Sequence, residues 1–447
     1  MKAYPAYKRT DQLWLPIVPE GWETIKIKYA FNERSEKGYP DESLLVASQN
    51  MGVVPKGIYG NRTVEAQKDL HLLKLVRIGD FVISLRSFQG GIEYAYYQGI
   101  ISPAYTIMTS MGSVTTDYFK HLAKSHAFIE LLQMCVTGIR EGQNIDYSKL
   151  KNYRIPLPSR GEQIQIARYL DWKISAINKL VNAKKKQIVL LEEQKQVLIQ
   201  RIVTQGLDDS VELKESGINY IGAIPIHWLV LLNHRIYKEQ SRKFDGDELV
   251  LSLSQKDGLL PYVDMKERSL HTSSYDNWKL VYPNDLVLNR FKAHLGVFFS
   301  SKHRGIVTFH YGVFEPTMKI ASKYYEALYH TAEFKRIFAS RSNGMTVGLQ
   351  NLSNTNFYSV YTVYPPYEEQ CAIVDEIERI EERYKALTQK IEQEIELLHE
   401  YRTRLISDVV TGQVDVRNII IPEYEVVDEI MSDDEETDDE FVTSEVD

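Results

Sequence analysis

Two long stretches of the chain carry apolar residues at spacings that alternate between three and four. The first runs through Leu170, Ile174, Ile177, Val181, Lys184, Ile188, Leu191, Lys195, Leu198 and Ile202. The second runs through Ile373, Ile377, Ile380, Tyr384, Leu387, Ile391, Glu394, Leu398, Tyr401 and Leu405. This spacing predicts two helices with a coiled-coil seam. Proline precedes each stretch (Pro156 and Pro158; Pro365 and Pro366), and glycine follows each (Gly206; Gly412). Those are the boundary signals of a helix. About 44 residues at ~1.5 Å each give a length of roughly 65 Å. Between these stretches the pattern changes. Short β-branched and aromatic runs at 80–85, 249–252 and 285–288 are bounded by Gly, Pro, Asn and Asp, which predicts short strands and turns. Residues 117–133 and 323–340 have helical periodicity. The expected fold class is α+β: mixed globules separated by two long helices.

The globules are related to each other. The nine residues from Trp14 to Trp22 return, 206 positions later, from Tyr220 to Trp228. Further collinear matches join 79–83 to 284–288, 99–105 to 305–311, Gly138 and Gly142 to Gly344 and Gly348, and 143–145 to 350–352. Pro158, Glu162 and Gln163 match Pro365, Glu369 and Gln370, and 203–208 matches 410–415. A nearly constant shift across so many points indicates an internal duplication. The expected domains are a first globule at 1–158, a helix at 159–207, a second globule at 208–365, a helix at 366–417 and an acidic, disordered tail at 418–447.

Charge refines this order. The chain carries −8, yet 13 Asp and Glu and no Lys or Arg lie within 423–447, so the remainder is mildly basic at +5. Such an acidic, aromatic-poor tail favours disorder. Residues 162–203 carry +4 and 368–410 carry −6. Like helices of two copies would repel, so pairing within one chain is favoured, antiparallel and roughly twofold. Lys184 and Glu394 both fall on the seam and are expected to pair.

Other classes drop out. No run of ~18 apolar residues suggests a membrane span. Residues 1–10 have no apolar core, so no secretory signal is expected. Two cysteines, Cys135 and Cys371, cannot build a disulfide framework or a multi-cysteine zinc site, and suit a reducing cytoplasm. Two related heads at a fixed separation suit a long, quasi-symmetric ligand such as duplex DNA.

The duplicated Trp22/Trp228 segment, the Pro…Glu-Gln helix starts and the Val-Thr-Gly-like helix ends resemble the specificity subunit of type I restriction–modification systems. The resemblance covers about 8–417. It implies two target recognition domains, each reading half of a bipartite DNA site. It implies two modification subunits as partners, which methylate adenine with S-adenosylmethionine. It also implies restriction subunits that use ATP and Mg to translocate and cut DNA. No cofactor is expected in this chain. The alternative is a coiled-coil adaptor that binds only proteins.

Base reading draws on Arg or Lys for guanine and Asn or Gln for adenine. In the first head the candidates are Arg86, Ser87 and Gln89, which follow the strand at 80–85, and Arg140, Gln143 and Asn144 in a Gly-rich stretch. In the second head they are Arg290, Lys292 and His294, with Gln350 and Asn351 in the matching Gly-rich stretch. The Gly-rich stretches recur in both heads, which favours phosphate contact or loop closure over sequence discrimination. Helix packing is expected from Leu170, Ile177, Leu191, Leu198, Ile377, Tyr384, Leu398 and Leu405. The run Lys184-Lys185-Lys186 suits either spacer phosphates or acidic residues of the second helix.

Catalysis finds little support in the motifs. The segment 363–367 superficially resembles an Asn-Pro-Pro-Tyr methyltransferase motif, but Tyr364 stands where Asn is required. The position matches the helix start near Pro158, so we read it as the approach to a helix. No GxGxxG or GxxxxGK loop and no HExxH pair occurs. The expectation is a recognition scaffold rather than an enzyme.

Overall fold

The computed structural model describes residues 2–59, 69–85, 87–137, 144–244, 246, 248–255, 258–265, 275, 277–343 and 351–430. The chain divides into two compact units, residues 1–186 with 391–447, and residues 187–390. Each long helix therefore contributes one half to each unit.

In the first unit a four-stranded antiparallel sheet is built from β1 (Phe31–Arg34), β2 (Phe81–Ile83), β3 (Glu93–Tyr94) and β4 (Thr106–Ser110), in the order β1-β4-β2-β3. The run Phe81-Val82-Ile83 is apolar throughout because both faces of the sheet are covered. Phe81, Ile83 and Met108 enter the main core with Trp22, Phe119 and Phe128. Val82 and Ile107 point to a smaller core with Leu45, Val53, Val76 and Ile101. The two-stranded pairs Leu45–Ser48 with Gly52–Pro55 and Lys74–Val76 with Gly99–Ile101 carry that second layer.

The helix expected at 117–133 is two helices, α1 (Thr116–Leu122) and α2 (His126–Met134). Ser125 causes the break. Its hydroxyl donates to the Leu122 carbonyl at 2.7 Å and accepts from the Phe128 amide at 3.3 Å, ending one helix and capping the next.

The first long helix, α3, spans Arg160–Gln205. Its start is seated by Gln163, only 1% exposed, whose amide donates to the carbonyls of Pro158 (3.0 Å) and Ser113 (3.2 Å) and accepts from the Thr115 amide (2.8 Å). Tyr4 donates to Glu162 at 2.5 Å. The Glu-Gln doublet is thus the fastener of helix to head. Asp171, about two turns further in, takes His121 at 2.9 Å and Lys120 at 3.2 Å. Burial opposes its ionisation, but the His121 hydrogen bond and the Lys120 charge outweigh it and hold the carboxyl below its usual range.

The second unit repeats this plan. Its sheet is β5 (Tyr237–Gln240), β6 (Leu286–Asn289), β7 (Phe298–Ser300) and β8 (Tyr311–Pro316), in the order β5-β8-β6-β7. Leu286, Leu288 and Phe314 face the main core, and Val287 and Val313 the smaller one. The helix expected at 323–340 is likewise two, α4 (Ser322–Tyr329) and α5 (Ala332–Arg341), broken where Thr331 donates to the Leu328 carbonyl at 2.8 Å. The second long helix, α6, spans Tyr367–Val410 and follows the strand Tyr361–Tyr364 directly. Gln370 donates to the Pro365 carbonyl (2.8 Å) and accepts from the Ala321 amide (3.0 Å), as Gln163 does in the first unit.

Each head also grips a helix end. In the first unit the end of α6 packs into the core: Tyr118 donates to the Val410 carbonyl at 2.9 Å, and Gly412 turns at φ +78° against Pro19 and Trp22. In the second unit Tyr324 donates to the Val203 carbonyl of α3 at 2.6 Å, and Gly206 turns at φ +82° beside Trp228. Left-handed glycine is what a helix C-terminus favours.

The helices run antiparallel within each unit. In the first, Lys184 pairs with Glu394, and Arg402 donates to Asn178 at 3.1 Å. In the second, Ile199, Ile202 and Val203 near the end of α3 share a core with Ile373, Ile377 and Ile380 near the start of α6. Leu170, Ile177, Ile377, Tyr384 and Leu405 are buried, and Leu191, Leu198 and Leu398 are half-buried. Two predicted seam positions face outward instead: Leu387 is 40% and Tyr401 46% exposed.

The tail expectation needs correction. Residues 418–430 are not free chain; they lie extended along α3. Gln165 donates to the carbonyls of Val416 and Ile419, Asn178 to Val427 and Asn182 to Asp428, at 2.7–3.0 Å. Ser175 both donates to Glu425 and accepts from Val427. Glu429 closes the strap on Lys185 (3.1 Å), His399 (2.9 Å) and Arg402 (2.7 Å). The polar positions of α3 satisfy backbone groups that composition alone assigns to solvent. Residues 431–447 lie outside the described residues.

Candidate nucleic-acid interface

The loops that leave the C-terminal ends of β2 and β6 hold most of the candidate residues, and each is anchored differently. In the first head Ser87 is fully buried, and its hydroxyl accepts from the Ser84 amide at 2.8 Å. It shapes the loop from inside. Gln89 is exposed. Beneath the loop Lys124 donates to the carbonyls of Gln49 and Gly90, both at 3.0 Å, and to buried Glu93 at 2.6 Å. At Gly90 a Cβ would meet the end of the Gln49 side chain at 2.6 Å, so a larger residue there would displace Gln49. Asn144 is exposed and pairs by backbone with Thr137. Arg86, Arg140 and Gln143 lie outside the described residues, as does Gln350 of the second head.

In the second head Arg290 is half-buried and bound to Glu239 and, at 2.9 Å, to Asn354. Glu239 also takes Lys279 at 3.4 Å and Asn354. Burial lowers the pKa of Lys279, and the carboxylate of Glu239 opposes that shift. Lys292 is exposed and His294 half-buried. Asn351 is exposed, its backbone bridged to Asn343 at 2.8 and 3.0 Å. The structure therefore brings Arg290, Lys292 and Asn351 to one end of the sheet, since the Leu352 amide donates to the Arg290 carbonyl at 3.1 Å. The strand registers align Arg290 with Leu85, so the two arginines taken as equivalents stand one position apart.

Two residues at this end were not among the expected contacts, the exposed Phe309 and His310; beside them Phe291, the aromatic neighbour of Arg290, turns its ring outward. The signal was present in the duplication, which sets Pro103-Ala104 against Phe309-His310. Of the three lysines at 184–186, Lys184 and Lys185 meet Glu394 and Glu429, while Lys186 is exposed.

Nucleophile and metal chemistry have little footing here. Burial pushes the Cys135 thiol up to about 11, which leaves it protonated at neutral pH. Among the described residues no group of three His, Cys, Asp or Glu could hold a metal ion, and no helix is long and apolar enough to cross a membrane.

Residues 19–190 and 238–397, most of the chain and one segment from each repeat, match the family described as type I restriction modification DNA specificity domain. The chain belongs to that family. Among its relatives, the MjaVIII type I restriction enzyme specificity subunit of Methanocaldococcus jannaschii is 26% identical over 242 residues, covering 51% of this chain and 52% of that protein. The putative MjaX specificity subunit of the same organism is 24% identical over 253 residues, covering 52% and 56%. The chain thus spans about half the length of the curated relatives it matches. A chain from a solved structure, described as the structural basis of complex assembly and conformational transition of the type I R-M system, shares 13% identity. It has a TM-score of 0.59 and covers 89% of this chain and 99% of its own, a likeness of fold.

Proposed function

We propose that this chain is the DNA-reading subunit of a type I restriction–modification complex and has no catalysis of its own. Each head reads one half of a bipartite site. One observation carries the proposal. Two copies of one framework, seated on the long helices by the same glutamine, tyrosine and glycine contacts, differ in the exposed residues at the same end of the sheet. A conserved frame with divergent tips is what two half-sites of different sequence require.

The helices serve the partners. On α3, Leu180, Val189, Leu190 and Val197 are 53–66% exposed, and on α6 Leu397 is 62% exposed. These apolar positions suit docking of two modification subunits, which supply adenine methylation with S-adenosylmethionine. Restriction subunits supply ATP-driven translocation and Mg-dependent cleavage. The chain acts where that DNA is, in the cytoplasm.

The test is a duplex-binding titration with and without modification subunits. Weak, salt-sensitive binding alone and tight, site-specific binding with them are expected. No DNA binding under either condition would leave the protein-only adaptor.

A further inference from the structure

We propose that Phe291, Phe309 and His310 form the base-reading tip of the second head, and that it contacts a thymine methyl in the second half-site. The inference rests on the DNA-reading role above and names the residues that carry it.

The two heads share a framework at this end of the sheet. In each, a lysine under the sheet end donates to a tyrosine carbonyl at 2.7 Å: Lys74 to Tyr105, and Lys279 to Tyr311. In each, that tyrosine amide closes the preceding turn, onto Ser102 at 3.2 Å and onto Thr308 at 3.1 Å. The strand registers confirm the equivalence, since Met108 pairs with Phe81 as Phe314 pairs with Leu286. The two turns are therefore the same piece of backbone, yet the tips differ completely. The first head presents Pro103 and Ala104, and the second Phe309 and His310.

The second tip is built to face outward. The Phe309 and His310 rings lie 3.9 Å apart at 36°, and Phe291 meets His310 edge-on at 6.2 Å. Phe309 is 50% and Phe291 44% exposed. Their base is fixed: Asn289 accepts from the Phe291 amide at 3.2 Å, and neighbouring Arg290 is tied to Glu239 and Asn354. Scattered exposed apolar residues are ordinary, but here two half-exposed phenyl rings gather on one histidine, and an exposed apolar cluster marks a binding surface. Lys292, exposed beside them, can neutralise a phosphate, whereas a phenyl ring cannot bond one. In the major groove the apolar feature a Phe can meet is the thymine C5-methyl. Arg290, held by Glu239, anchors the tip.

The test maps methylation by the chain assembled with the modification subunits of its own system. Wild type is compared with Phe291→Ala and with Phe309→Pro combined with His310→Ala, the pair the first head carries on the same turn. All three side chains leave the core untouched, and thermal melts confirm that each variant is folded. Wild type gives a two-part motif. Both variants keep one half unchanged and relax the other at one or two positions. Replacing thymine by deoxyuridine at the relaxed position weakens wild-type binding about fourfold, the worth of one buried methyl, and leaves the double variant unaffected. Unchanged motifs in both variants overturn the inference, as does relaxation without any response to the methyl. A wild-type complex that yields no two-part motif defeats the DNA-reading role itself, and this inference with it.

Discussion

Replacing Gln163 by methionine tests whether the Glu-Gln doublet fastens helix to head. The side chain keeps its length and loses all three hydrogen bonds. Their losses are unequal. The Ser113 carbonyl lies on an exposed residue and turns to water at little cost. The Pro158 carbonyl is buried, and the Thr115 amide sits on a half-buried residue; both are left without their partner. At about 1–3 kcal/mol for each unsatisfied buried group, the expected loss from the two is roughly 2–6 kcal/mol. Urea denaturation followed by circular dichroism should show a lower midpoint with an unchanged slope. Gln163→Glu sharpens the test. It keeps an acceptor for the Thr115 amide but sets a carboxylate against the Pro158 carbonyl, so it should be at least as damaging at neutral pH and partly recover when the acid is protonated. A loss within ~0.5 kcal/mol for Gln163→Met, the range of a featureless surface site, would refute the reasoning.

Gly412→Ala should destabilise more than Gly206→Ala, by about 1 kcal/mol or more. Both incur ~1–2 kcal/mol for left-handed backbone, but at 412 a Cβ meets Pro19 at 2.4 Å, whereas at 206 it meets the movable end of Glu369 at 2.9 Å; equal losses in thermal denaturation would contradict this. Lys184→Glu should cost about 0.5–1 kcal/mol, the scale of a half-exposed pair, and Lys184→Glu with Glu394→Lys should restore it, while no recovery in the double variant would dismiss the pairing. Glu429 has its carboxyl held below the ordinary 4.5: burial opposes ionisation, but Lys185 and Arg402 outweigh it. Its contribution is therefore present above that value and lost as pH falls below it. Hydrogen exchange of 418–430 should show protection fading in that acid range in wild type and already reduced at neutral pH in Glu429→Gln; identical profiles would rule the strap's ionic clasp out.

What the chain's pattern disclosed follows from how physical signals are encoded. The seam of α3 and α6 was legible because burial repeats every three to four residues, and Lys184–Glu394 because its charges interrupt that repeat. Leu387 and Tyr401 misled, since apolar character at a seam position does not guarantee contact. The breaks at Ser125 and Thr331 were hidden inside helical periodicity, although both are capping residue types. The strap at 418–430 was illegible by composition, because its partners are polar helix residues, Gln165, Ser175, Asn178 and Asn182, that solvent would satisfy equally well. At the sheet ends residue type pointed to Arg290, but Glu239, brought from another strand, binds it; only tertiary structure shows which cation is held and which aromatic, such as Phe309, is left outside.

The most direct measurement exchanges residues 1–158 for the corresponding segment of a relative with a different target and maps DNA methylation by the assembled complex. One half of the two-part motif should change to the relative's and the other half should stay as it was. A motif that changes in both halves, or in neither, would contradict the claim that each head reads its own half.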